Sequence, residues 1–207
     1  MRTIQQTATT KARSALRALL QAYGTRRIKK RLWDGEFAQG RWDCLDRTPD
    51  DCVYRYLERY ARNGSILDLG CGSGSTGNEL DTARYDHYVG VDISGVAIAK
   101  AEERTAENGR TDSNRYRQSD IFSYVPDRQF DVILFRDSIY YVPHRQINAM
   151  LQRYAQYLEE GAVFIVRMAD GDKYRDIVET IETHFAIVDR HVADDPKAVV
   201  LVFRPHR

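Results

Sequence analysis

The fold that this sequence predicts is a doubly wound α/β domain, a mainly parallel sheet with helices on both faces. Three observations predict it. From Ser65 onward, short apolar runs alternate with longer amphipathic segments, the order that builds a parallel sheet. The run FDVILF at 130–135 is apolar without alternation, as a central strand covered on both faces requires. A glycine-rich turn, DLGCGSGSTG at 68–77, closes the first of these runs. Such sheets bind ligands beyond the carboxyl ends of their strands, so the residues just after each strand are the ones to interrogate.

Ahead of the sheet, the pattern from Thr10 to Tyr23 is helical, with Ala12, Leu16, Leu19, Leu20 and Tyr23 on one face. Gly24 interrupts it, and a second, short basic helix is expected from Thr25 to Trp33. The stretch WDGEFAQGRWDCLDRTPDD (33–51) carries two Trp, two Gly and a Pro, and reads as irregular. Pro49 with Asp50 and Asp51 opens a helix from Val53 to Arg62, which Asn63-Gly64 stops.

Strands follow at SILDLG (65–70) and HYVGVD (87–92), and the segment 94–108 is a helix capped by Ser94 and ended by Asn108-Gly109. NRYRQSD (114–120) is a more polar strand, nearer an edge, and FDVILF is the central one. His144 to Leu158 is helical, AVFIVRM (162–168) is a fifth strand, and 173–185 is a further helix. AIVDRHV (186–192) and AVVLVF (198–203), joined by the short turn ADDPK, suit an antiparallel hairpin.

Composition narrows the function classes. With 43% apolar and 29% charged residues the chain is neither disordered nor fibrous. No stretch approaches the ~18 apolar residues of a membrane span, and the N-terminus lacks the apolar core of a secretion signal. Cys44, Cys52 and Cys71 form no C-x-x-C pair, which predicts a reducing cytoplasm and neither a disulfide framework nor a bound metal. Residues 1–47 carry 11 Lys+Arg against 4 Asp+Glu, centred on TRRIKKRLW at 25–33, and the remainder is acidic. That cluster suits an anionic partner, or it docks on the chain's own acidic domain.

The glycine loop contains Gly72-x-Gly74-x-x-Gly77, a pattern that lets a ligand approach the backbone closely. Two carboxylates choose the ligand. Asp92, at the end of the second strand, can bind a ribose diol, which serves NAD and S-adenosylmethionine (SAM) equally and disfavours NADP; it can also cap the following helix. Asp68 lies two residues before the first glycine, where NAD would place its pyrophosphate. An anion there repels a pyrophosphate and suits the ammonium end of SAM.

At this point the chain resembles the class I SAM-dependent methyltransferases. ILDLGCGSGSTG is similar to their first motif, YVGVDIS (88–94) to the second, QSDIF (118–122) to the third and FDVILFRDSIYYV (130–142) to the fourth. The resemblance implies a Rossmann-like α/β fold of seven strands, the last antiparallel, over 49–207; the residues of 1–48 themselves predict a basic helical lid or acceptor wall, with Trp33 and Trp42 closing over the site or anchoring the basic helices. The resemblance also implies that Gly70, Cys71, Gly72 and Gly74 cradle the methionyl part. Asp92 would bind the ribose, Ile93 pack on the adenine, Asp120 accept from the adenine amino group and Ile121 donate its backbone N–H. Asp68, Arg136 and Trp42 complete the set expected at the cofactor, with Trp42 closing over it.

Methyl transfer from a sulfonium is an in-line displacement, so the chain mainly positions donor and acceptor. A base is needed only where the acceptor must lose a proton. RDSIYYVPH (136–144) offers Asp137 and His144 as bases, and Tyr140 and Tyr141 as pocket walls or hydrogen-bonding groups. The expected catalytic set is Asp137, Tyr140 and His144. The chain has no NPPY or DPPY after the fourth strand and no Cys pair for RNA cytosine chemistry. Its DSIYYV is similar to the E-x-L-Y-Y of bacterial methyltransferases that modify saccharides and other small metabolites, nodulation-factor N-methyltransferases among them. The resemblance implies an O- or N-directed small-molecule acceptor, saccharide or secondary metabolite, rather than nucleic acid. The rivals are an RNA or carrier-bound substrate held by the basic helices, and a non-catalytic SAM-binding module.

Overall fold

The computed structural model describes residues 16, 17, 19–48, 50–192 and 197–206. The start of the helix expected from Thr10, the Pro49 start signal and most of the ADDPK turn lie outside them.

Seven strands form one sheet in the order β3-β2-β1-β4-β5-β7-β6. β1 (Ser65–Leu69), β2 (His87–Asp92), β3 (Asn114–Gln118), β4 (Phe130–Arg136) and β5 (Leu158–Met168) pair in parallel. β7 (Val199–Arg204) runs antiparallel between β5 and β6 (Ala186–Val192). The order reverses between β1 and β4, and that switch point sets where a cleft opens.

Period-2 alternation splits the core into two layers. Leu67, Leu69, Val91, Ile133 and Phe135 face one side, with α5 (His144–Ala155) and α6 (Arg175–His184) packed on them. Ile66, Tyr88, Val132, Leu134 and Ile165 face the other, under α2 (Val53–Ala61) and α4 (Gly95–Glu107). Both faces of the central strands are therefore dry, which is why FDVILF shows no polar alternation.

Several boundaries differ from expectation: the helix from His144 ends at Ala155, short of Leu158, the strand from Asn114 ends at Gln118, and two larger shifts have a tertiary cause. β5 starts at Leu158 rather than 162, because Leu158 pairs with Phe130 before the exposed Glu159-Glu160-Gly161 excursion, after which Val163 pairs with Val132. The basic helix α1 runs from Arg26 to Ala38, five residues past Trp33. Gly35 costs a helix about 1 kcal/mol, but tertiary anchors on both sides outweigh it. Asp34 accepts from Ser94 Oγ (2.8 Å) at the start of α4, and Phe37 is buried. α1 thus lies across the carboxyl edge of the sheet. Among the described residues no helix is long and apolar enough to cross a membrane.

Candidate functional site

A cavity of about 450 Å³ opens beyond the carboxyl ends of β1, β2, β4 and β5, roofed by α1 and the loop after it. Its size falls in the range of small-molecule sites. The glycine loop builds its floor. Gly70 has φ +88° and its N–H donates to Val91 O (2.7 Å), so the chain turns sharply off β1. A Cβ on Gly70 would stand 2.4 Å from Ser138 Cβ, so only glycine lets the β1 loop meet the end of β4. Cys71 and Gly72 line the cavity as expected, and burial pushes the Cys71 thiol well up, which leaves it inert. Gly74 does not line it. This is a correction: Gly74 faces α4, where a Cβ would lie 2.7 Å from Ala101 Cβ, so its role is close packing of α3 (Ser75–Glu79).

Two carboxylates stand at adjacent strand ends. Asp92 is buried; its Oδ2 accepts from Gly72 N–H (3.0 Å) and its Oδ1 from Ser94 N–H (2.9 Å). It therefore braces the glycine loop and the turn into the following helix, whose cap is Ser94: Ser94 Oγ accepts from Ala97 N–H (3.2 Å). Desolvation lifts its pKa to about 6, against those backbone bonds, which lower it. Asp68 is 1% exposed; its Oδ2 accepts from Tyr88 OH (2.6 Å), while its Oδ1 has no partner. Desolvation again prevails, over the Tyr88 bond and the nearby Arg136 charge, and lifts the carboxyl to about 6. A buried acceptor left unmet is costly, and here it lines a cavity that a cationic group can enter.

Ile93, Asp120 and Ile121 line the far end, with Lys29 of α1 and Phe122. Asp120 Oδ1 accepts from Phe122 N–H (2.8 Å), which fixes the turn after β3. Lys29 Nζ lies 5.7 Å from the centre of the Phe122 ring, and burial holds its ammonium below its ordinary value. The basic cluster thus divides. Lys29 turns to the cavity, Lys30 pairs with Asp34, and Arg26, Arg27 and Arg31 stay exposed.

The roof is aromatic. Trp42 lines the cavity, and its Nε1 donates to Glu36 Oε2 (3.2 Å), a buried carboxylate that also pairs with Arg17 and Arg41. Trp33 packs 5.8 Å from Trp42 and edge-on to Tyr141 at 4.8 Å. Phe37 covers Gly72 from above.

The β4–β5 end is ionic. Arg136 donates to Tyr54 OH (2.9 Å), Thr48 Oγ1 (2.6 Å) and Asp51 Oδ2 (2.8 Å), and this surround raises its pKa despite burial. Burial works against ionisation of Asp51, yet the charges of Arg136 and Arg167 hold it below the usual carboxylate range. Asp137 has φ +52°, a left-handed backbone that Asp adopts more readily than most side chains, and accepts from Arg167 Nη1 and from Tyr140 OH (3.3 Å). Burial raises its pKa even so. Tyr140 stacks on Tyr174 with ring centres 4.3 Å apart and 3° between planes. Burial raises both tyrosine hydroxyls, Tyr141 to about 12.

His144 stands apart, and its assignment as a base is corrected. It is the first residue of α5 and points away from the cavity; its Nε2 lies 2.8 Å from Thr180 Oγ1 and 3.2 Å from Asp176 O, both on α6. The structure brings Asp68, Gly70, Cys71, Gly72, Asp92, Ile93, Asp120, Ile121, Arg136, Asp137, Tyr140 and Trp42 to one cavity. Sequence reasoning missed Lys29, Phe37, Asp51 and Arg167. Arg167 had a usable signal, a cation closing the apolar run of β5. Phe37 had none, since its stretch reads as irregular.

Residues 67–164 match the family described as Methyltransferase domain. The chain is 28% identical over 130 residues to the mRNA cap guanine-N(7) methyltransferase of Schizosaccharomyces pombe, covering 56% of this chain and 36% of that protein. It is 28% identical over 117 residues to the 27-O-demethylrifamycin SV methyltransferase of Amycolatopsis mediterranei, covering 53% and 43%. It thus spans less than half the length of these curated relatives. Among solved structures, the N-methyltransferase NodS from Bradyrhizobium japonicum, in complex with S-adenosyl-L-homocysteine, has TM-score 0.68 at 17% identity, covering 86% of this chain and 98% of that one. At that identity the likeness is one of fold.

Proposed function

We propose that this chain is a class I SAM-dependent methyltransferase and methylates an O or N atom of a small molecule at the β1–β4 switch point. One observation carries the reading. Asp68, buried at the end of β1, keeps an unpartnered oxygen in a cavity that also holds Asp92 at the next strand end. Two carboxylates so placed suit a ligand with an ammonium at one position and a hydroxyl pair at the other, and disfavour a pyrophosphate.

When bound, SAM supplies an electrophilic methyl group on a sulfonium. The chain's own residues do the rest. Asp68 receives the amino group, the positive-φ turn at Gly70 lets backbone approach closely, and Asp92 holds the ribose. Ile93 and Ile121 sandwich a planar base, with Asp120 beside them. Phe37, Trp33 and Trp42 exclude water from above, so that α1 and the loop after it act as a lid. Asp137, Tyr140 and Tyr141 form the acceptor wall. With Asp137 engaged by Arg167 and Tyr140, catalysis rests on positioning, which supplies the larger part of what an in-line transfer needs.

Aromatic faces with a few polar groups suit a saccharide or aromatic metabolite, and a relative that acts on a rifamycin supports a metabolite. The exposed Arg26, Arg27 and Arg31, with the cap methyltransferase relatives, favour RNA as a second reading. RNA binding would weaken steeply with salt through counterion release. A reducing cytoplasm fits the three free thiols.

The test is ligand binding by thermal shift. SAM and S-adenosyl-L-homocysteine should raise the melting temperature, and NAD should not. Asp92→Ala should remove most of the shift, since charge-assisted hydrogen bonds are worth roughly 1.5–3 kcal/mol each. An undiminished shift in that variant would refute the assignment.

A further inference from the structure

We propose that the methyl acceptor carries a carboxylate and that Arg167 receives it, an inference that rests on the methyltransferase reading above. Arg136 and Arg167 are register partners on β4 and β5, so their side chains leave the same face of the sheet side by side. Both are partly buried, at 11% and 15% side-chain exposure, and both line the cavity. Their surroundings differ. Arg136 is engaged by Tyr54, Thr48, Asp51 and Thr76, all from the protein, and is a structural tie. Arg167, among the described residues, gives its side chain one hydrogen bond, to Asp137. Its Nε is buried without a partner, 3.4 Å from Asp51 Oδ2 yet making no hydrogen bond to it.

A guanidinium has five N–H donors in a fixed planar fork. Leaving them unmet in a buried place is unfavourable, and a ligand that meets them recovers that cost. The group that matches the fork is a planar anion with two acceptor atoms, a carboxylate. Charge supports the same class. Asp51 and Asp137 offset Arg136 and Arg167, so this wall carries no net charge, and the unpartnered Asp68 oxygen is left to the ammonium of the cofactor. An acceptor ammonium, in contrast, finds Asp137 already taken by Arg167 and the Tyr140 hydroxyl. Tyr140, stacked on Tyr174, offers an apolar face for the rest of the acceptor.

The experiment is calorimetric titration of the full chain saturated with S-adenosyl-L-homocysteine. Matched probes separate charge from shape: acetate against acetamide, benzoate against benzamide, with benzylamine as the cation. At least one carboxylate should bind tenfold or more tightly than its amide. Arg167→Gln should erase that preference, and Arg167→Lys should keep part of it. Carboxylates that bind no better than their amides, or a preference for benzylamine, would overturn the inference, as would an undiminished preference in Arg167→Gln. If Arg167→Gln does not fold, the wild-type pairs decide alone. Failure of S-adenosyl-L-homocysteine itself to bind would instead refute the cofactor reading.

Discussion

Asp68→Asn should make the protein more stable and a poorer binder of SAM. Folding moves this carboxyl from an ordinary 3.8 to about 6, chiefly through desolvation. The folded chain therefore holds a proton that the unfolded chain has released. The cost is absent below about pH 4, grows as pH rises, and is complete above about pH 6. A shift of that size corresponds to about 3 kcal/mol at neutral pH. An asparagine carries no charge to desolvate and still accepts from Tyr88, although a neutral acceptor gives back about 1 kcal/mol of that bond. The net gain is about 1–2 kcal/mol, or roughly 2–8 °C in melting temperature for a chain of this size. At pH 4 the gain should vanish. Binding moves the other way. Losing a charge-assisted bond to an ammonium costs about 1.5–3 kcal/mol, roughly ten- to hundredfold in Kd. In the wild type, affinity for S-adenosyl-L-homocysteine should rise as pH passes upward through 6, where Asp68 and Asp92 both ionise. Scanning fluorimetry from pH 4 to 8, with and without ligand, reads both effects. A variant that is less stable at pH 7, or one that binds ligand as the wild type does, would refute the role given to Asp68.

Gly70→Ala should destabilise the fold by about 2–5 kcal/mol, combining a positive-φ penalty with overpacking against Ser138, and denaturant melts will measure it. His144→Ala should change turnover less than about threefold across pH 6–9, since its imidazole faces α6. Asp137→Ala, which empties the acceptor wall, should lower turnover by at least tenfold with ligand affinity near normal. A large loss in His144→Ala would reinstate it as a base.

Much of this protein is legible in the sequence because it is local. Strand runs, the glycine loop and the acid at the end of β2 each depend on a few adjacent residues, and a parallel strand dictates what lies at its own carboxyl end. Asp68, Gly70 and Asp92 were found for that reason. Gly74 shows where motif reading overreaches. Its neighbour is Ala101 on α4, and no local pattern distinguishes a glycine that admits a ligand from one that admits a helix. His144 makes the same point, since one turn of α5 decides whether it meets the cavity or α6.

What the tertiary structure alone decided is the ionic side of the cavity and its roof. Arg136 and Asp51 stand 85 residues apart in sequence, and Arg167 and Asp137 stand 30 apart. They meet because β4 and β5 pair in register and the lead-in to α2 crosses their ends. Phe37 and Trp33 become a roof because Asp34 docks on the start of α4, which carries the helix past Gly35. The sequence by itself determined the sheet and the glycine loop at the cavity floor, through short-range stereochemistry and hydrophobic alternation. The ionic wall and aromatic roof arise from contacts between distant segments, whose energies exist only once the sheet has brought them together.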